Sequence, residues 1–242
     1  MTREQSVLVL GGHGSHLSDL AERTRQMGYR TVRAKTPVDA LELAEERGFF
    51  YGAALMEPDL PAVDLAETLG ALRELSASPV LVFIATGAPA GSEVRRRLRD
   101  AGVTVALWEP VSDHALRFQL NSAMAKRRAE YLRSETRIPT NMTAGIVAGG
   151  RRKTANVYNL SGGGAFLETG RPSMAGANIT IEFPFPAGVV RVVGQVLYTN
   201  VPGNLACSSL PTGMAVRFSD DEFGTCDEIR RNVSAFSAHY LV

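Results

Sequence analysis

The chain has 242 residues, is 45% hydrophobic and carries a formal net charge of +1. That length suits two ordinary domains, and the apolar content is ordinary for packed cores. The near-neutral charge gives no global electrostatic case for nucleic acid or an anionic membrane, so such a partner would need a local patch. No apolar stretch approaches the ~20 residues that cross a bilayer, so membrane insertion is not expected and the chain reads as soluble and cytoplasmic.

From Ser6 to about Leu120 short apolar runs alternate with helical patterns, the sequence form of a parallel sheet covered on both faces. The strands are expected at Ser6-Leu10, Arg30-Ala34, Gly52-Met56, Val80-Ala85 and Val103-Trp108. The helices are expected to begin near Leu17, Pro37, Asp64, Ser92 and Ser112. Apolar residues at Leu17, Leu20, Ala21 and Met27 mark one half-buried helix. The fifth helix meets no breaker before Arg133, which allows a length of ~30 Å. Its last turns, from Lys126 to Arg133, are strongly polar, and the domain boundary is placed there.

After Pro139 the texture changes to strands broken by glycine and proline, at Thr143-Ala148, Lys153-Asn159, Gly164-Glu168, Asn178-Phe183, Val189-Tyr198 and Met214-Phe218. Six short strands predict a small antiparallel barrel, closed by a helix over Asp227-Tyr240. The fold class is thus α/β plus β: a doubly wound (βα)5 domain over 1–125, a helical linker over 126–139, and a six-stranded β-barrel with a C-terminal helix over 140–242.

Leu10-Gly11-Gly12-His13-Gly14-Ser15 joins a strand to a helix, where free N–H groups can cradle phosphate. The dinucleotide fingerprint is incomplete there, with Leu17 at the third glycine position and Ala34-Lys35-Thr36 where a ribose-gripping acid belongs. Cys207 and Cys226 have no metal-ligand neighbours and the four histidines are scattered, so no metal site is expected. No nucleophile with a base and no acid-base pair stands out, so no catalytic residue is assigned and the chain is not expected to be an enzyme.

Five βα units, a strand ending before Leu60-Pro61 and another ending at Trp108-Glu109-Pro110 resemble the response-regulator receiver family over about residues 5–125. Phosphoryl transfer in that family needs an acidic pair after the first strand, an aspartate after the third and a lysine after the fifth. This chain has Gly11-Gly12-His13, Glu57 and Glu109 at those places. The resemblance therefore implies a pseudo-receiver, with Glu57 as a degenerate phosphoacceptor position and Asp59 as the nearest spare carboxylate. Partner docking or a homodimer through this domain is an expectation from the resemblance.

The most informative residues lie further on. Arg133 and Arg137 stand four apart, and Asn159-Leu160-Ser161-Gly162-Gly163-Gly164 begins twenty-two residues after the second. An arginine pair alone is usually a solvated helix face, but the combination resembles the signature of the PilZ domain family, which binds cyclic di-GMP. The resemblance covers about residues 130–240 and includes Arg137-Ile138-Pro139, Gly164-Ala165-Phe166-Leu167 and Gly213-Met214-Ala215-Val216-Arg217-Phe218. It implies that Arg133, Arg137, Asn159, Ser161, Gly163 and Gly164 bind cyclic di-GMP, with no other cofactor. Arginine suits such a ligand because its guanidinium forks onto phosphate or the guanine O6/N7 edge and stacks on flat rings. Asn159 can hydrogen-bond a guanine edge, and the glycines leave space beside the ligand and permit a positive φ where the strand turns. Leu132, in place of an arginine, favours one ligand per chain.

Three roles follow as expectations: a cyclic di-GMP effector in which binding reorders the Arg133-Arg137 segment, a ligand-independent adaptor acting through an unknown protein partner, and a nucleic-acid binder. The last would use Lys126, Arg127, Arg128, Arg133 and Arg151-Arg152-Lys153, and is disfavoured by the interrupting Glu130 and Glu135.

Overall fold

A computed structural model describes residues 6–12, 14–47, 50–60, 65–75, 81–125, 135–205, 210–219 and 224–242. Sequence expectations at His13, Pro61, Asp64, Val80, Lys126 to Arg133 and Cys207 lie outside the described residues. The chain divides into two compact units, one of residues 1–131 with 239–242 and one of residues 132–238.

In the first unit, strands β1 (Ser6–Leu10), β2 (Arg30–Ala34), β3 (Tyr51–Met56), β4 (Val82–Gly87) and β5 (Val105–Trp108) alternate with helices α1 (Ser15–Gln26), α2 (Pro37–Arg47), α3 (Leu65–Leu75), α4 (Ser92–Asp100) and α5 (Asp113–Ala125). All strand pairs are parallel, in the order β2-β1-β3-β4-β5. Side chains alternate between the faces with the period of two that extended chains impose. Val7, Ala53, Leu55, Ile84 and Leu107 meet Leu20 of α1 and Leu116 and Leu120 of α5. Leu8, Leu10, Ala54, Met56, Phe83 and Ala106 meet Ala40, Leu69, Leu72 and Leu98 of the other three helices.

Local signals fix the helix starts. Thr36 and Asp39 cap α2 reciprocally, Thr36 N donating to Asp39 Oδ2 at 3.0 Å and Asp39 N to Thr36 Oγ1 at 3.1 Å. Ser112 Oγ accepts from Ala115 N at 3.1 Å at the start of α5. The strand order reverses beside β1, and the crevice at the carboxyl ends of such strands is where ligands sit in open α/β sheets.

The second unit is a closed antiparallel barrel. Strands β7 (Thr143–Ala148), β8 (Arg151–Ser161), β9 (Gly164–Glu168), β10 (Asn178–Phe185), β11 (Gly188–Asn200) and β12 (Gly213–Phe218) close through pairing of β8 with β9. A short β6 (Ile138–Pro139) pairs with the end of β8 beyond the stretch that β7 pairs with. Ile146, Val157, Leu167, Ile181, Phe183, Val192 and Met214 fill the barrel, and Cys226, Ile229 and Val233 of α6 (Thr225–Ser237) pack on it.

Both boundaries of the second domain differ from expectation. Residues 135–139, the described end of the segment 126–139 read as linker, belong to the barrel unit because Ile138 and Pro139 pair with Leu160 and Asn159. Residues 239–242, read as barrel, belong to the first unit because Leu241 bridges Val105 on the edge strand β5. Val242 N also donates to Thr104 O at 3.4 Å, and Arg99 Nη1 donates to Val242 O at 2.8 Å. These contacts satisfy part of an edge that would otherwise be open to another strand.

Tyr51 lies fully buried at the start of β3, its hydroxyl 3.4 Å from Ala40 O. Burial pushes its phenol up to about 12. The folded form thus keeps a proton that the unfolded chain releases near pH ~10, so this contribution to stability is complete below that pH and is lost as pH rises toward ~12. Chemical denaturation across that window should show a shallower alkaline loss in Tyr51→Phe than in the wild type; equal slopes would remove Tyr51 as the cause.

Candidate functional site

The barrel site begins with β6. Its pairing to β8 sets Pro139 opposite Asn159, and Arg137, two residues earlier, donates from Nη1 to Asn159 Oδ1 at 3.2 Å. The register between β8 and β9 shifts at Val157/Asn159, leaving Tyr158 as an extra residue. A bulge of this kind re-aims the residues that follow it, and the strand's end from Val157 to Ser161 is buried throughout instead of alternating. Asn159 is 5% exposed and Ser161 4% exposed, and Ser161 Oγ donates to Gly164 O at 3.2 Å.

The glycines after Ser161 serve close approach. A Cβ on Gly162 would lie 2.2 Å from Arg230 Cγ, and one on Gly164 would lie 2.5 Å from Val216 O. None of Gly162, Gly163 and Gly164 has the positive φ expected from sequence. The turn is made with ordinary backbone, and hydrogen replaces a side chain because α6 and β12 lie against it.

Arg137, Ser161 and Gly163 line one cavity of about 720 Å³ together with Glu135, Asn178, Gln195, Leu197, Val216, Arg217, Phe218 and Ser219. The volume falls within the ~300–1,000 Å³ of small-molecule sites. Asn159, bonded to Arg137, and Gly164, the first residue of β9, are not part of that lining. Arg133 lies outside the described residues. Glu135 and Arg230 had no sequence-based expectation as site residues. Arg230 Nε donates to Glu135 Oε1 at 2.9 Å and its Nη1 to Asp227 Oδ1 at 2.6 Å. Its guanidinium is held above the usual arginine range, first by the hydrogen bond to Glu135 and then by that to Asp227. Glu135 was legible as the central residue between the arginines, whereas a contact across 95 positions leaves no mark in a single sequence.

The first unit carries a second cavity, of about 500 Å³, at the carboxyl ends of its strands, with His16, Glu57, Asp59, Thr86 and Glu109 in its lining. Glu57 follows β3 directly, and its Oε2 accepts from Gly12 N at 3.0 Å. Glu109 pairs with His16, Oε1 to Nδ1 at 2.6 Å, while His16 Nε2 lies 2.9 Å from Thr86 Oγ1. Thr86 Oγ1 donates to Leu107 O at 3.0 Å. With that hydrogen committed to Leu107, the Thr86 oxygen is left as an acceptor for His16 Nε2. Glu109 is thus tied to a cation-forming side chain that sequence reading had not associated with it.

Residues 131–235 match the model of the PilZ domain family. No curated protein matches the chain. The N-terminal half is similar to response-regulator receiver structures. One is a CheY-like receiver domain protein from Methanospirillum hungatei JF-1, at 20% identity, covering 53% of this chain and 99% of that one with a TM-score of 0.44. A second is the receiver domain of a sensor histidine kinase from Pseudomonas aeruginosa PAO1, at 23% identity, covering 50% and 98% with a TM-score of 0.44. A third is the signal receiver domain of an HD domain-containing protein from Pseudomonas fluorescens Pf-5, at 18% identity, covering 54% and 93% with a TM-score of 0.45.

The glycine turn can be tested by adding single methyl groups. Gly164→Ala drives a methyl into the Val216 carbonyl and should cost about 1–3 kcal/mol in thermal unfolding of the barrel. Gly163→Ala meets only the end of the Glu135 side chain, at 3.1 Å, and should cost less. The reverse order would contradict the close-approach account.

Proposed function

Starting from a chain whose residues 131–235 form a PilZ domain, we propose that it is a non-enzymatic effector that binds cyclic di-GMP and converts binding into a domain rearrangement and altered contacts with a protein partner. The observation that carries this reading is the single cavity lined by Arg137, Ser161 and Gly163. Arg137 is a fixed cation with a donor fork, suited to phosphate or to the O6/N7 edge of guanine. Asn159 behind it offers an acceptor and a donor, and the glycine turn brings backbone to the cavity wall. Arg133, four positions earlier in the sequence, is the proposed source of a second guanidinium.

The ligand must compete with bonds already made. Arg137 donates to Asn159 and Ser161 to Gly164. The same bonds favour a second reading, a ligand-independent adaptor whose motif residues satisfy one another. Calorimetric titration separates the two. The effector binds cyclic di-GMP in preference to GTP and loses about ten-fold or more affinity in Arg137→Ala, the cost of one bidentate guanine contact of ~1–3 kcal/mol. An intact protein that takes up no cyclic di-GMP is an adaptor. At saturation, protease cleavage between Tyr131 and Thr140 should change; an unchanged pattern with binding intact would remove the rearrangement and leave the receptor.

The receiver-like unit is proposed to act without phosphoryl transfer. Gly11 and Gly12 stand where metal-binding carboxylates are required, Glu57 stands at the acceptor position, and Glu109 replaces the lysine. Glu57 is engaged with Gly12 N and Glu109 with His16. Acetyl phosphate with Mg²⁺ should leave the intact mass unchanged, whereas a phosphoryl adduct on Asp59 or any other aspartate of this unit would overturn the pseudo-receiver reading.

A further inference from the structure

Among the described residues Glu135 is the one carboxylate in the lining of the barrel cavity, between two sequence positions that the cyclic di-GMP reading assigns to cations. Its two oxygens have different surroundings. Oε1 accepts from Arg230 Nε at 2.9 Å. Oε2 is buried, has no hydrogen-bond partner among the described residues, and lies 3.1 Å from where a Gly163 side chain would begin. An ionised carboxylate only accepts hydrogen bonds, and a buried acceptor without a donor is costly.

A phosphate cannot supply that donor, since it too is an acceptor and carries like charge. A base edge can. Guanine presents N1–H and the N2 amine side by side; adenine offers a lone pair at N1, and hypoxanthine keeps N1–H but lacks the amine. We propose that Glu135 is the guanine-selecting residue of this cavity, with Oε1 remaining on Arg230 and Oε2 accepting from the N1–H and N2–H₂ edge of one guanine. The inference rests on the cyclic di-GMP reading and adds to it the residue that sets base identity.

Arg230 makes the role possible in two ways. Its positive charge offsets the carboxylate beside an anionic ligand, and its hydrogen bond holds the side chain at the glycine turn. Gly162 contributes the space, because any side chain there would collide with the Arg230 stem. The carboxylate is therefore positioned before the ligand arrives, which lowers the ordering cost of binding.

The test uses the full chain and its E135Q variant, titrated with cyclic di-GMP and with cyclic di-IMP, which differs only by the missing N2 amines. In the wild type cyclic di-GMP should bind about ten-fold or more tightly than cyclic di-IMP, as expected for a charge-assisted hydrogen bond. In E135Q the amide oxygen must stay on Arg230, so the amide NH₂ faces the guanine donors, and the ratio should fall to about one or below. If Glu135 only holds Arg230 in place, both dinucleotides change together and the ratio survives, which overturns the inference while the messenger reading stands. A wild type that binds both dinucleotides equally also overturns it. A wild type that binds neither overturns the inference and the messenger reading together.

Discussion

The two residue pairs Ile138–Leu160 and Pro139–Asn159 are the constraint on which the barrel site depends. Arginines on a chain segment have no fixed relation to a turn twenty-two residues away until a backbone ladder sets one. The short β6 supplies that ladder at the end of β8, where the bulge at Tyr158 has already turned the strand so that Asn159 and Ser161 are both buried. Arg137 then reaches Asn159, and Glu135 reaches over the glycine turn to Arg230.

The two cavities have opposite electrostatic characters. In the barrel, Arg137 and Arg217 line the cavity with one carboxylate among the described residues, Glu135, whose charge is offset by Arg230. In the receiver-like unit, Glu57, Asp59 and Glu109 share a crevice with His16. A dianionic ligand is favoured in the first and opposed in the second. The crevice of the second still lies at the carboxyl ends of the strands beside the point where strand order reverses, so its position follows from topology while its chemistry follows from side chains.

Much of the fold was legible because periodicity reports burial. Runs such as Ser6–Leu10 and Tyr51–Met56 are continuous because helices cover both faces, and β7 and β9 end where the sequence places them. The edges of the units were not legible. Leu241 docks on β5 through backbone bonds that any residue could make, and Ile138-Pro139 is too short to show a period. Of the residues named from the motif, Arg137, Ser161 and Gly163 line one cavity. The positive φ expected of the glycines is absent, and the close approach of Arg230 and Val216 that the structure shows depends on packing that only three dimensions contain. His16 beside Glu109 and Arg230 beside Glu135 were missed for the same reason.

The central claim is that Arg137, Ser161, Gly163 and Glu135 surround one nucleotide-binding cavity. A structure of the protein saturated with cyclic di-GMP tests it most directly. The account predicts the dinucleotide in the cavity bounded by β6, the glycine turn and β12, with one guanine edge facing Glu135 and Arg137 within hydrogen-bonding distance of the ligand. A dinucleotide bound elsewhere on the chain, or no dinucleotide at saturating concentration, would contradict it.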